Sequence, residues 1–325
     1  MSRRTAASAV ALLAVVAAVV AVTLSTREGD APVSPTPARS VSELVLFVVD
    51  APAGPLIAVA GSTIDREARA LVIPSNLPIT IPGRGDGLVA DVVASPGRPG
   101  QIAVSNLLGL WVDHHVVTDL AHLSAVIDRA GGIEIGGITR TGPETVASLE
   151  PGPARELAWQ TALGGLLSSG ATWGPSDYLE VDAVEKVSVF LAADERAVVE
   201  PLPTRISAGG QREPDYEQIA PTLTAVLGAP NRAVVPVIIL NGSGAPGVGE
   251  DVAKRIIPDG YRVVISDNAS TFDYDETLIV AGSEHDRQIA EHVRDLLGVG
   301  QVAVSGPPSG IAQLTIVVGK DFGTG

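Results

Sequence analysis

The 325-residue chain contains no cysteine, so neither disulfides nor thiolate chemistry can support its fold or its function. Lysine is almost as scarce. Only Lys186, Lys254 and Lys320 occur, and no Lys/Arg cluster appears anywhere. With a formal net charge of -15 and a pI near 4.7, the chain lacks the basic surface that neutralises phosphates, which excludes nucleic acid as a partner. No G-x-S-x-G elbow and no H-E-x-x-H is present, which removes two common hydrolase signatures. What is abundant is apolar: 46% hydrophobic residues and a mean hydropathy of +0.30 give ample material for one or two packed cores.

Arg3 and Arg4 precede an uncharged run from Thr5 to Leu24. Twenty helical residues rising 1.5 Å each span a hydrocarbon layer of roughly 30 Å. The two arginines predict a cytoplasmic N-terminus and an extracytoplasmic remainder. No Ala-x-Ala cleavage site follows the run, so it is expected to stay as a single-pass anchor in the cell membrane. Residues 25–42 switch to Ser, Thr, Pro and Ala and read as a semi-extended spacer.

Beyond the spacer, strand and helix patterns alternate. Leu44 to Val49 is a continuous apolar run that fits a buried strand, with further strands expected at 56–60, 70–73 and 115–118. Asp119 is placed to cap a helix over 120–130 whose apolar face is Leu120, Leu123, Val126 and Ile127, stopped by Gly131-Gly132. Helices are also expected around 154–167, 182–193 and 216–227, although the stretch 136–232 carries weaker signals. From Val234 onward the pattern is strand, helix (247–257), two strands, helix (284–297) and two strands. Ser283 and Asp286 are spaced as a capping box for the last helix. This periodicity argues for α/β layers throughout.

Three local features invite a site. Gly242-Ser243-Gly244-Ala245-Pro246-Gly247 is a G-x-G-x-x-G between a strand and a helix, with Asp267 at the end of the next strand, as in dinucleotide sites. About ninety residues are too few for the paired halves of a dinucleotide fold, so the competing reading is a tight turn in which Asn241 bonds its own loop. Asn241, Gly242, Ser243, Gly244 and Gly247 are nonetheless the best binding candidates there. The histidines are poorly spaced for metal: His114 and His115 point to opposite faces of a strand, and His285 and His292 lie two helical turns apart. No metal site is expected from them.

Two stretches carry a family resemblance. Val72-Ile-Pro-Ser-Asn-Leu-Pro-Ile-Thr-Ile-Pro-Gly83, Asp113-His-His-Val-Val-Thr-Asp119 and Gly131-Gly-Ile-Glu-Ile135 resemble the LytR-CpsA-Psr family of cell-wall phosphotransferases. Val235-Pro-Val-Ile-Ile-Leu-Asn-Gly-Ser-Gly244 and Leu314-Thr-Ile-Val-Val-Gly-Lys-Asp-Phe322 resemble the LytR C-terminal domain often attached to it. The resemblance implies residues 1–4 as cytoplasmic tail, 5–24 as anchor and 25–42 as linker. It further implies an α/β/α layered domain over 43–232 and a smaller α/β domain over 233–325. The arginine-for-lysine bias points to a GC-rich, actinobacterial source.

Such enzymes move a glycopolymer from a polyprenyl-diphosphate carrier to peptidoglycan, with arginines on the diphosphate and carboxylates on Mg²⁺. This chain departs at the charged positions. Asp50 is the only weak match to the first acid, Ala53-Gly54-Pro55 stands where Arg-Ser-Asp is expected, and Ser75-Asn76 replaces Arg-Asp. Of the later arginine-rich stretch only Arg155 and Gln160 remain, while Arg66, Arg69 and Arg84 could compensate only by folding into the same pocket. The resemblance therefore implies a degenerate member without cofactor: a binding or scaffold protein in envelope assembly whose partners are peptidoglycan or wall polymer, a polyprenyl-linked lipid, or other envelope proteins. The alternative is an active phosphotransferase that retains Mg²⁺.

Overall fold

The computed structural model describes residues 41–63, 67–82, 84–94, 98–178, 180–181, 197–229, 235–305 and 312–323. The expected anchor, residues 25–40 of its linker, the helix over 182–193 and Arg66 lie outside them, while the last two residues assigned to the linker, 41 and 42, begin the first strand. Among the described residues no helix is long and apolar enough to cross a membrane.

The strands run β1 (Val41–Asp50), β2 (Leu56–Thr63), β3 (Ala68–Ile73), β4 (Pro78–Ile81), β5 (Gly85–Leu88), β6 (His114–Asp119), β7 (Ile133–Ile135), β8 (Ile138–Arg140), β9 (Glu180–Val181), β10 (Ala197–Pro201), β11 (Thr204–Ile206) and β12 (Arg212–Pro214). A second set follows: β13 (Val235–Asn241), β14 (Tyr261–Asn268), β15 (Leu278–Ala281), β16 (Gln301–Val304) and β17 (Leu314–Val318). The helices are α1 (Ala90–Val93), α2 (Arg98–Leu108), α3 (Leu120–Arg129), α4 (Gly142–Ser148), α5 (Arg155–Ser168), α6 (Tyr216–Leu227), α7 (Val248–Ile256) and α8 (Arg287–Leu297).

Six strands form the first sheet in the order β10-β3-β2-β1-β6-β9, with β1 parallel to β6 and antiparallel to β2. Because successive side chains alternate faces, β1 feeds two cores. Val45, Phe47 and Val49 pack with Leu123, Ile127, Trp159 and Leu163 of α3 and α5, while Leu46 and Val48 pack with Val104, Leu107, Ile219 and Leu223 of α2 and α6. Burial on both faces explains why β1 is apolar at every position from 44 to 49 rather than alternating. This is the expected three-layer α/β/α arrangement.

The second sheet has the order β14-β13-β17-β15-β16, with β13 parallel to both neighbours and β15 antiparallel to β17. Helices α7 and α8 supply Val252, Ile256, Ala290, Val293 and Leu297 to its core. The expected capping box at Ser283 takes another form. The Ser283 hydroxyl donates to the Asp286 carboxylate rather than accepting from a backbone N–H, and one turn of 3-10 helix (Glu284–Asp286) precedes α8. Both sheets belong to one contiguous unit, Ala38–Gly325.

Candidate functional site

A pocket of about 440 Å³ opens where β2 begins and β3 ends, closed on its other side by the N-terminus of α5. Leu56, Ile57, Val72, Ile73 and Trp159 form its floor, and Pro55, Pro74, Pro151 and Pro153 stand around it. Proline fixes φ near −65°, so the walls are stiff before any ligand arrives. Beneath the floor Trp159 is almost wholly buried, donates its indole N–H to the Ile57 carbonyl at 3.3 Å and stacks on Phe47 at 6.2 Å between ring centroids. Phe47 meets Trp173 edge-on at 5.4 Å, and Trp173 stacks on Tyr178 at 5.5 Å. This aromatic row fills the layer between the sheet and α5. Burial, with the neighbouring Asp177 charge, pushes the Tyr178 hydroxyl well above the usual phenol range.

The pocket brings together residues that sequence reasoning had singled out from distant stretches: Ala53, Pro55, Ser75, Asn76 and Arg155. Ser75 and Asn76 sit in the turn after β3, where the Leu77 N–H donates to the Pro74 carbonyl at 3.2 Å and the Ala90 N–H to the Ser75 carbonyl at 2.9 Å. Gly54, at φ +94°, turns the β1–β2 connection back toward Ser75; a non-glycine residue there would be strained.

Arg155 is committed to the backbone. Its Nε donates to the Leu149 carbonyl at 2.9 Å, Nη1 to Ala53 at 3.0 Å and Nη2 to Gly54 at 2.7 Å. Burial lowers its pKa and the Glu150 carboxylate opposes that shift. The second pocket cation, Arg212 of β12, was not anticipated. It is ion-paired with Glu156, the residue after Arg155, across 56 positions of sequence, a separation that leaves no local signal. Gln160 points elsewhere and donates to the Val199 carbonyl on β10 at 2.7 Å.

The remaining candidates fall outside the pocket lining. Asp50 is exposed at the end of β1, in register with Asp119 on β6. Asp119 is occupied as the cap of α3: its Oδ1 accepts from the His122 N–H at 2.8 Å and lies 2.8 Å from His122 Nδ1. Burial raises the Asp119 pKa, but the bonds from His122 and the Ala121 N–H outweigh it and hold the carboxyl below its ordinary value. Arg69 reaches the Ala225 and Val226 carbonyls at the end of α6 and pairs with Glu67, whereas Arg84 is exposed in the β4–β5 hairpin. Among the described residues no group of three or more His, Cys, Asp or Glu is placed to hold a metal ion. His115 is buried against the Val93 carbonyl at 3.1 Å and His114 lies on the opposite face, 3.8 Å from Glu43.

In the second sheet, the loop after β13 is stitched by its own residues. Asn241 Oδ1 accepts from the Ser243 N–H at 3.1 Å, the Ser243 hydroxyl at 3.0 Å and the Gly244 N–H at 3.0 Å, and Asn241 Nδ2 donates to Ala245 at 2.9 Å. A Cβ on Gly242 would meet the Tyr274 ring at 2.6 Å, and Gly244 faces Phe272. Gly247 takes φ +86° at the start of α7. Turn geometry and two aromatic neighbours thus account for all three glycines.

Comparison with known proteins bears chiefly on this second half. Residues 234–322 match the family model described as LytR cell envelope-related transcriptional attenuator. The module is of the LytR C-terminal type, and the match covers less than half of the chain. No curated protein matches. Among solved structures, Bacillus subtilis TagT is 16% identical and covers 62% of this chain and 95% of its own, with a TM-score of 0.46. A LytR-CPS2A-psr family protein (TagT) with bound octaprenyl pyrophosphate lipid is 17% identical over 58% and 91%, with a TM-score of 0.44. An Enterococcus faecalis transcriptional regulator is 17% identical over 58% and 89%, also with a TM-score of 0.44.

Proposed function

We propose that this chain is a membrane-anchored, extracytoplasmic protein of LytR-CpsA-Psr type that acts in cell-envelope assembly by binding rather than by catalysis. Its partner is a wall polymer, a polyprenyl-linked lipid or another envelope protein. The LytR C-terminal match over 234–322 and the apolar run over 5–24 support the location.

The observation that carries the non-catalytic reading is the commitment of both pocket guanidiniums. Phosphoryl transfer depends on positioned cations that stabilise charge spreading over the transferring group. Turning Arg155 toward a diphosphate breaks three charge-assisted hydrogen bonds, each worth about 1.5–3 kcal/mol. Freeing Arg212 separates it from Glu156. Ser75 and Asn76 offer only neutral groups in return.

The active phosphotransferase retains one observation in its favour: Arg155 does lie in the pocket beside Ser75. The full chain in detergent micelles, given Mg²⁺ and a polyprenyl-diphosphate-linked glycan, separates the two readings. The expected result is binding of lipid, peptidoglycan or an envelope partner with no release of polyprenyl phosphate. Mg²⁺-dependent release lost in Asp50→Ala would establish the enzyme, and absence of every such partner in crosslinking would overturn the binding role.

A further inference from the structure

The two sheets meet through a side-chain clamp. Helix α2 presents Asn106, buried to 6% exposure, to the outer edge of β14. Its Nδ2 donates to the Val263 carbonyl at 2.7 Å and its Oδ1 accepts from the Val263 N–H at 3.0 Å. The side-chain amide therefore pairs with the edge strand as a further strand's peptide group would, satisfying both polar groups that β14 would otherwise leave open. Ile102 within α2 and Trp111 just after it belong to the same core as Val237, Val252 and Ile256 of the C-terminal module. Next to the clamp, the Arg262 guanidinium lies over the Tyr216 ring, 5.9 Å from its centroid.

Both arms of this seam lead into the pocket. Strand β4 touches β14, and residues Ser75 and Asn76 form the turn that enters β4. Tyr216 opens α6, four residues after Arg212. A cleft of about 20 Å³ between Ile79, Asn106, Tyr216, Arg262 and Val263 has no room for a ligand, so the seam is packed closely enough to transmit displacement.

We propose that the C-terminal module braces the pocket, with Asn106 and Arg262 as positioning residues that hold the Ser75–Asn76 turn and the Arg212 strand in place. This rests on the reading of the pocket as the binding site, but its test needs no ligand and no turnover, so either can fail alone. Hydrogen exchange on the full chain follows the Val263 amide at the seam, the Leu77, Val89 and Ala90 amides around the pocket turn, and the amides of β1 as an internal reference. Asn106→Ala is expected to speed exchange at Val263 and, by tenfold or more, at Leu77, Val89 and Ala90 while β1 is unchanged. Asn106→Asp, which sets a carboxylate oxygen against the Val263 carbonyl in place of the donor, is expected to speed exchange at the same amides at least as much as alanine. Arg262→Met, which retains apolar bulk over Tyr216, is expected to give the same selective pattern if Asn106→Ala fails to fold. Faster exchange at Val263 with an unmoved pocket turn would overturn the brace, and so would acceleration that includes β1 equally.

Discussion

Replacing Arg155 by alanine and by lysine distinguishes a structural guanidinium from an anion holder. In the folded chain three of its five N–H donors are bonded to the carbonyls of Leu149, Ala53 and Gly54, joining α5 to the β1–β2 turn. Bonds to a charged donor are worth about 1.5–3 kcal/mol each. The carbonyls at this surface regain water once the side chain is removed, and the Ala53 bond is already exposed. A net loss of about 2–3 kcal/mol is therefore expected for Arg155→Ala. Lysine carries the same charge as a single point and cannot reach three carbonyls in a fork, so Arg155→Lys is expected to lose about 1–2 kcal/mol. At about 2–4 °C per kcal/mol for a unit of this size, the alanine variant should melt about 4–12 °C lower. Calorimetry of the full chain, with urea titration as a second measure, reads both effects. Pyrophosphate titration supplies the other half of the test, with no saturable binding expected for the parent or the variants. An unchanged melting temperature in Arg155→Ala, together with pyrophosphate binding that the substitution abolishes, would refute the argument.

Trp159→Ala removes a buried indole, its bond to Ile57 and its stack on Phe47, and should cost about 3–5 kcal/mol, read as a fall in the urea midpoint. Gly242→Ala drives a methyl into the Tyr274 ring and should cost about 1–3 kcal/mol, relieved in the double variant with Tyr274→Ala; a neutral Gly242→Ala would show that the loop yields. Asp119 has a folded pKa below its ordinary value, so the unfolded chain binds the proton more readily. Its stabilisation is complete above the ordinary carboxylate pKa near 4 and is lost as pH falls through the lower folded value. Asp119→Asn should flatten that part of the acid limb of stability against pH, and an unaltered limb would rule the cap out as its source.

Strong periodicity was readable before any coordinates. Leu44 to Val49, the capped helix after Asp119 and the strand–helix alternation after Val234 each bury the faces their patterns require. The elements that escaped notice are those whose local signals compete. Helix α2 begins inside Ser95-Pro-Gly-Arg-Pro-Gly100, a run with the composition of a loop, yet Pro99 is acceptable in a first helical turn where its missing N–H has no partner to lose. Gly100 then lies tight against the Val92 backbone, where a Cβ would come within 2.4 Å of the Val92 carbonyl oxygen, so the glycine is there for contact rather than for a turn. Strands β11 and β12 are three residues each and half exposed, too short to show a period. The Glu156–Arg212 pair depends on that hairpin, so the pocket's second cation could not be read from spacing.

The same contrast separates what sets the pocket's shape from what sets its charge. The apolar floor and the glycine at φ +94° are fixed by packing and backbone geometry, and a substitution there disturbs β1 to β3 directly. Ser75 and Asn76 line the pocket but belong to neither core, so substitutions there are expected to leave the packing intact. An arginine without a partner in a partly dry pocket would be a desolvation cost. Arg155 avoids that cost by turning to three carbonyls, and Arg212 by pairing with Glu156. On the proposed binding reading, Ser75→Arg with Asn76→Asp adds charge to the pocket without freeing either arginine. That double variant is expected to gain saturable pyrophosphate binding while Arg155 keeps its three carbonyls, with no Mg²⁺-dependent turnover of a polyprenyl-diphosphate substrate; turnover in the variant would show that Arg155 can leave the turn it holds.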